Sequence, residues 1–174
     1  MNRYRSIGLF IYVSSVLSIA VLAGCASLFS FEGQATKPEN RIPVEDGGPY
    51  KGVWETYDVI VSYEYKKDGQ NLLLTGEANL AGHLTRGFPV IDFFYIHAHL
   101  LDENGTIISS KKLLSARNRE YNYFYDPSFN HTILMPPEAL SLAFSYSGRV
   151  RDSGSSRSDG DQAGGVDWSF WKMP

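Results

Sequence analysis

Val53-Trp54-Glu55-Thr56-Tyr57-Asp58-Val59-Ile60-Val61-Ser62-Tyr63-Glu64-Tyr65-Lys66 is the stretch that decides the fold of this 174-residue chain. Within it Tyr57, Val59, Val61, Tyr63 and Tyr65 recur at every second position, and Thr56, Asp58, Ser62 and Glu64 fill the positions between. A period of two places successive side chains on opposite faces, which is the signature of a half-buried β-strand. Beyond a Lys67-Asp68-Gly69 turn the pattern resumes in Leu72, Leu74, Ala78 and Leu80. Val90 to Leu101 is nearly continuous in apolar and aromatic residues, as a central strand would be. Asn104-Gly105 then predicts a tight hairpin, because both residues tolerate positive φ, and Thr106 to Leu114 returns as the partner.

Tyr121 to Tyr125 and His131 to Met135 read as a fifth strand or a broken pair, interrupted at Asp126-Pro127. Pro136-Pro137 ends it, since proline donates nothing to a ladder. Leu142, Phe144, Tyr146 and Val150 alternate with Ser141, Ser145, Ser147 and Arg149. Ser153 to Gly165 is a loop by composition, and Val166 to Trp171 closes the set with Trp168 and Phe170 toward the core. No helical periodicity exceeds two turns. About seven strands joined by short turns predict an all-β fold, an antiparallel β-sandwich of immunoglobulin-like type, with a small barrel as the alternative.

The N-terminus has a different composition. Arg3 and Arg5 precede Ile7 to Leu22, which carries no charge, and Leu22-Ala23-Gly24-Cys25 follows with the only cysteine. The apolar run is marginal for a membrane span, which needs about 20 residues, and its three-part layout is that of an export signal. Leu22-Ala23-Gly24-Cys25 resembles the lipobox of bacterial lipoproteins. That resemblance implies diacylglyceryl transfer to the Cys25 sulfur, cleavage between Gly24 and Cys25, and acylation of the new amine. Two or three acyl chains hold a protein to a bilayer durably. Ala26 is not the aspartate associated in that family with inner-membrane retention, so the resemblance implies an outer-membrane lipoprotein facing the periplasm in a diderm source, or the cell surface otherwise.

The chain is also similar to a group of small, uncharacterised bacterial lipoproteins built on a β-sandwich. The likeness lies in the anchor, in Phe94-Tyr95-Ile96 leading to Leu100-Leu101-Asp102 and Gly105, and in Leu142-Ala143-Phe144-Ser145-Tyr146-Ser147-Gly148. It implies no particular activity. The expected organisation is a signal helix over 1–24, lipidated Cys25 with a flexible, proline- and glycine-marked tether over 25–48, and the sandwich over 49–174. Ile42 and Val44 leave open an edge strand within the tether.

Composition excludes several classes. The chain has 16 Lys+Arg against 19 Asp+Glu, and removal of Arg3 and Arg5 leaves 14 against 19, a formal charge of −5. Nucleic acid, which requires a clustered basic face, is not an expected partner. A polybasic hold on lipid is equally unexpected, so the membrane contact runs through Cys25. With that thiol committed to lipid, no disulfide staples the domain. No glycine-rich phosphate loop or Gly-x-Ser-x-Gly elbow occurs, and no cofactor is expected.

Three groups of side chains are candidates for a site. His97 and His99, two apart on a strand, point the same way as two zinc ligands would, with a third ligand to be found in His83, His131 or Asp102. Tyr121, Tyr123 and Tyr125 form a row that suits stacking on sugar rings, extended by Trp54, Trp168 or Trp171, although core packing uses the same residues. Asp159-Gly160-Asp161 with Asp152 and Asp167 gathers carboxylates but lacks ordered calcium-loop spacing. Glu55, Glu64 and Glu77 have no spacing that fixes a glycosidase pair. The reading that follows is a non-enzymatic, lipid-anchored envelope protein contacting another envelope protein, the alternative being a module that binds glycan or metal.

Overall fold

A computed structural model describes residues 30–120, 125–152 and 166–174. The fold belongs to the unit Gly33–Pro174. Its strands are β1 (Ile42–Pro43), β2 (Gly47–Glu55), β3 (Val59–Asp68), β4 (Asn71–Leu80), β5 (Val90–Leu101), β6 (Ile107–Glu120), β7 (Ser128–Leu134), β8 (Ser141–Arg151) and β9 (Asp167–Lys172), with one short helix, α1 (Gly82–Gly87). Two antiparallel sheets result. One runs β1-β8-β5-β6 with β9 also beside β8, the other β2-β3-β4-β7. Two separate sheets make this a sandwich and not a barrel.

The chain changes sheet between β1 and β2, between β4 and β5, between β6 and β7, and again between β7 and β8. This is the immunoglobulin Greek key: β3, β4 and β7 stand where strands A, B and E do, and β6, β5, β8 and β9 where C′, C, F and G do. β2 is an added strand at the edge, paired antiparallel with β3. β5 lies between β6 and β8, as its continuous apolar character predicts.

Alternation places Val59, Val61, Tyr65, Leu72, Leu74, Ala78 and Leu80 in the core, opposite Phe94, Ile96, Leu100, Leu142, Phe144 and Val150. Rings bridge the sheets: Phe144 lies 5.6 Å from Trp54 and 5.2 Å from Tyr63. Three rings are seated on cross-strand glycines, in the register pairs Gly52↔Tyr63, Gly76↔Phe129 and Gly148↔Phe170. A Cβ on any of these glycines would overlap the facing ring. Above them the Tyr146 hydroxyl donates to Asp58 Oδ2 at 2.9 Å, tying β8 to the turn between β2 and β3. Burial pushes that phenol up to about 12, so it keeps its proton.

Several local expectations need revision. Val53 to Lys66 is a hairpin and not one strand, because Thr56 closes a turn, its amide donating to Val59 O at 2.9 Å and its hydroxyl accepting from Val59 N at 3.0 Å. Tyr57, on that turn, is 77% exposed. Residues 33–48, read as tether, belong to the folded unit. Gly33 and Thr36 donate to Ile107 O and Gly105 O on the β6 edge, both at 2.8 Å, and Ile42 and Pro43 then pair with β8. Nine strands replace about seven chiefly because of β1 and the added β2.

The turn at Asn104-Gly105 exists, but only Gly105 is left-handed, at φ 81°. Asp102 Oδ1 accepts from Asn104 N at 2.9 Å and Thr106 N at 2.8 Å, and this side-chain bracket shapes the turn. Trp168 is 48% exposed although Phe170 is buried, since the inward side of β9 is covered only around Phe170.

The seated rings give a direct test. Gly148→Ala should lose about 1–3 kcal/mol through overpacking against Phe170, although alanine ordinarily suits a folded chain better than glycine. Gly87→Ala, where a Cβ meets nothing within 4 Å, should be neutral or slightly stabilising. Urea unfolding midpoints of the two variants decide the matter.

Candidate functional site

Because Phe94, Ile96, Ala98 and Leu100 of β5 point into the core, Phe93, Tyr95, His97 and His99 lie along the outer side of the sheet. Phe93 and Tyr95 stack at 5.6 Å and His97 and His99 at 6.3 Å, forming one ladder of rings. The predicted pairing of the two histidines on one face is therefore present. Their environment is not that of a metal centre. His99 is 0% exposed and lies between two serine hydroxyls, Nδ1 at 2.8 Å from Ser110 Oγ and Nε2 at 2.7 Å from Ser145 Oγ.

None of the anticipated third ligands comes near. His83 Nε2 is 3.2 Å from Asp58 Oδ1, with its ring stacked 4.4 Å from Tyr57. His131 Nε2 donates to Leu113 O at 2.7 Å, meeting the carbonyl of a residue that is bulged out of register between β5 and β6. Asp102 brackets the β5–β6 turn. Among the described residues no group of three or more His, Cys, Asp or Glu could hold a metal ion.

The Ser110–His99–Ser145 network joins β6, β5 and β8. A neutral imidazole has one donor and one acceptor nitrogen, so it donates to one serine while accepting from the other. A serine hydroxyl on a histidine nitrogen is also half of a nucleophile–base pair. Here, however, a second serine occupies the position of the orienting carboxylate, and the histidine is sealed from solvent. The network is a cross-strand tie. Burial, with His97 beside it, lowers His99 to about 4, and burial with Lys112 lowers His97 as well.

Tyr121, Tyr123 and the Asp159-Gly160-Asp161 stretch lie outside the described residues, as do Gly24 and Cys25. Tyr125 is described and turns inward, its hydroxyl donating to Ala78 O and its ring 6.2 Å from Phe94. It serves packing and leaves the expected tyrosine platform. Of the carboxylates near the loop, Asp167 sits 3.9 Å from Arg149. Trp54 is also a core ring, whereas Trp168 and Trp171 are exposed on β9.

Glu64 and Glu77 do share a depression of about 490 Å³ on the outer side of β2-β3-β4. It is broad and shallow, and Glu64 is ion-paired with Lys51 at 3.2 Å. A glycosidase needs one carboxyl kept protonated in an apolar setting. This surface is a solvated charged face.

Sequence reasoning missed the other half of the β5 ladder. Lys112 and Arg117 both lie over Tyr95, at 5.0 and 5.4 Å from its centroid, and Arg149 lies over Phe93 at 5.9 Å. Asp92, bulged relative to β8, accepts from Arg149 Nε at 3.0 Å and Arg151 Nε at 2.8 Å. Asp92, Phe93, Arg117, Asn118 and Arg149 line a recess of about 230 Å³. The alternation in 93–99 was a usable signal, but the cations come from β6 and β8, which only the register brings alongside. Comparison with protein-family models, curated proteins and solved structures finds no match.

Because the folded chain resists protonation of His99 and the unfolded chain does not, His99 favours folding fully above pH 6.5. That stability drains away as pH falls from 6.5 to about 4. The loss at the low end is on the order of 3 kcal/mol. In His99→Gln, which keeps a neutral hydrogen-bonding side chain, the difference between urea midpoints at pH 7.5 and 4.5 should shrink markedly.

Proposed function

We propose that this chain is a lipid-anchored cell-envelope protein whose sandwich serves as a non-catalytic interaction module. Anchoring is supported by Leu22-Ala23-Gly24-Cys25 after its charged and apolar approach. The folded unit starts at Gly33, eight residues after Cys25. An extended chain of that length reaches at most about 29 Å, so the lipid would keep the domain close to the bilayer.

The observation that carries the interaction role is the β9 edge. Among the described residues β9 pairs with β8 alone, and Val166, Trp168, Trp171 and Met173 on and around it are each about half exposed or more. An edge strand with open backbone groups accepts an added strand from another chain. Exposed tryptophans are the side chains that most often dominate the energy of such contacts. The partner fitting this edge is an envelope protein that offers a short extended segment with apolar residues.

Two variants separate the parts of this reading. Cys25→Ser should move the protein from the membrane to the soluble fraction; persistent membrane attachment would overturn the anchor. Trp168→Ser combined with Trp171→Ser should abolish in-cell cross-linking to the captured envelope partner and leave the thermal unfolding midpoint within a few degrees of the parent, given the small effect expected of exposed sites. Unchanged capture would overturn the β9 contact.

A further inference from the structure

The outer ladder of β5 holds an electrostatic imbalance. Lys112 and Arg117 flank one ring, Tyr95, and both are exposed. Neither has an acidic partner among the described residues, whereas Arg149 and Arg151 share Asp92. Arg117 is held in place, its Nε donating to the Tyr95 hydroxyl. Two like charges on one ring repel, and each retains unused donors. A negative group placed between them would relieve that repulsion and collect charge-assisted hydrogen bonds, which are about twice as strong as neutral ones.

Beneath these cations lies an apolar patch of two half-buried rings. Phe93 and Tyr95 stack with an interplanar angle of 25°. Between Phe93 and Arg117 the sheet opens into the recess of about 230 Å³, where Asn118 has the left-handed φ of 48° and the ladder is locally interrupted. That volume falls below the roughly 300–1,000 Å³ of sites that enclose a whole small molecule. It fits one unit of a longer ligand whose remainder lies along the strip.

We propose that the Phe93–Tyr95 strip is a binding site for an acidic glycan, one whose sugar rings carry carboxylates. The apolar face of a sugar ring takes the place over Tyr95 that Lys112 vacates. A carboxylate in the recess bonds to the Arg117 guanidinium, while Lys112, on its flexible stem, swings off the ring to meet the next one. Asp92 holds Arg149 against Phe93, which fixes one wall. On a chain of negative overall charge the attraction comes from these local cations, and screening them with salt weakens the binding steeply. This site is separate from the β9 edge and does not depend on the anchor.

The test uses the full-length chain in non-ionic detergent, titrated with oligogalacturonate, with cellohexaose as the neutral counterpart, and with inorganic phosphate. Calorimetry gives affinities, and ring-proton shifts of Phe93 and Tyr95 locate the contact. Oligogalacturonate should bind at least tenfold more tightly than cellohexaose. Tyr95→Ala and Lys112→Ala should each weaken it severalfold, and Arg117→Gln about tenfold, as for loss of a hydrogen bond to a charged group. Lys112, being exposed, provides a variant whose folding is not at issue. Equal affinity for both oligosaccharides, affinity indifferent to Lys112→Ala, or no binding would overturn the proposal. Full displacement by phosphate at a similar concentration would do the same, marking a simple anion site.

Discussion

Three aromatic rings seated on three glycines set the geometry of this sandwich. Tyr63 over Gly52, Phe129 over Gly76 and Phe170 over Gly148 each cover a position where a β-carbon would collide. Glycine in a strand is costly by itself, because it loses more freedom on folding and packs nothing. Seating a ring on it recovers that cost in buried apolar surface and lets the two layers approach. With the only cysteine outside the folded unit, no disulfide assists it, and the dense ring contacts of Phe144 with Trp54 and Tyr63 depend on that close approach.

β5 carries the second constraint. It pairs along both edges while its inward residues fill the core, so its outward residues must settle among β6 and β8 side chains. Two solutions appear on one strand. At one end, His99 is closed between Ser110 and Ser145 and becomes part of the interior. At the other, Phe93 and Tyr95 remain half-buried under Arg149 and Lys112. The bulge at Asp92 makes this difference. It shifts the register with β8 and turns a carboxylate toward two arginines, and the face there opens into a recess.

The fold was legible because its strands keep simple patterns: Leu72 to Leu80 and Leu142 to Val150 are found where period two puts them, and the nearly continuous apolar run Val90 to Leu101 lies centrally between β6 and β8. What escaped was set by tertiary partners. Thr56 breaks one long alternating run into a hairpin through bonds to Val59 that no periodicity announces. Polar, proline-marked residues 33–48 read as tether, yet backbone bonds to β6 and β8 hold parts of them. Spacing correctly put His97 and His99 on one side, but their chemistry depends on Ser110 and Ser145, which are distant in sequence. For Tyr125 the sequence left both packing and a tyrosine platform open, and its bond to Ala78 O with its contact to Phe94 decides for packing.

Among the described residues β9 has one free edge. Phe170 alone anchors the strand inward, so Trp168, though of the same parity, projects past the covered part of the core. Charges stand at both ends of the short strand: Asp167 at the start, and at the finish Lys172, whose ammonium lies 5.9 Å from the Trp54 ring. Charged residues at an edge discourage indiscriminate pairing. What they leave between them is Trp168 to Trp171, a few residues of unpaired backbone flanked by two indoles. An edge closed at its ends and open in its middle favours a short added strand over a long one, and that length limit, more than any single contact, would separate a partner from an aggregate.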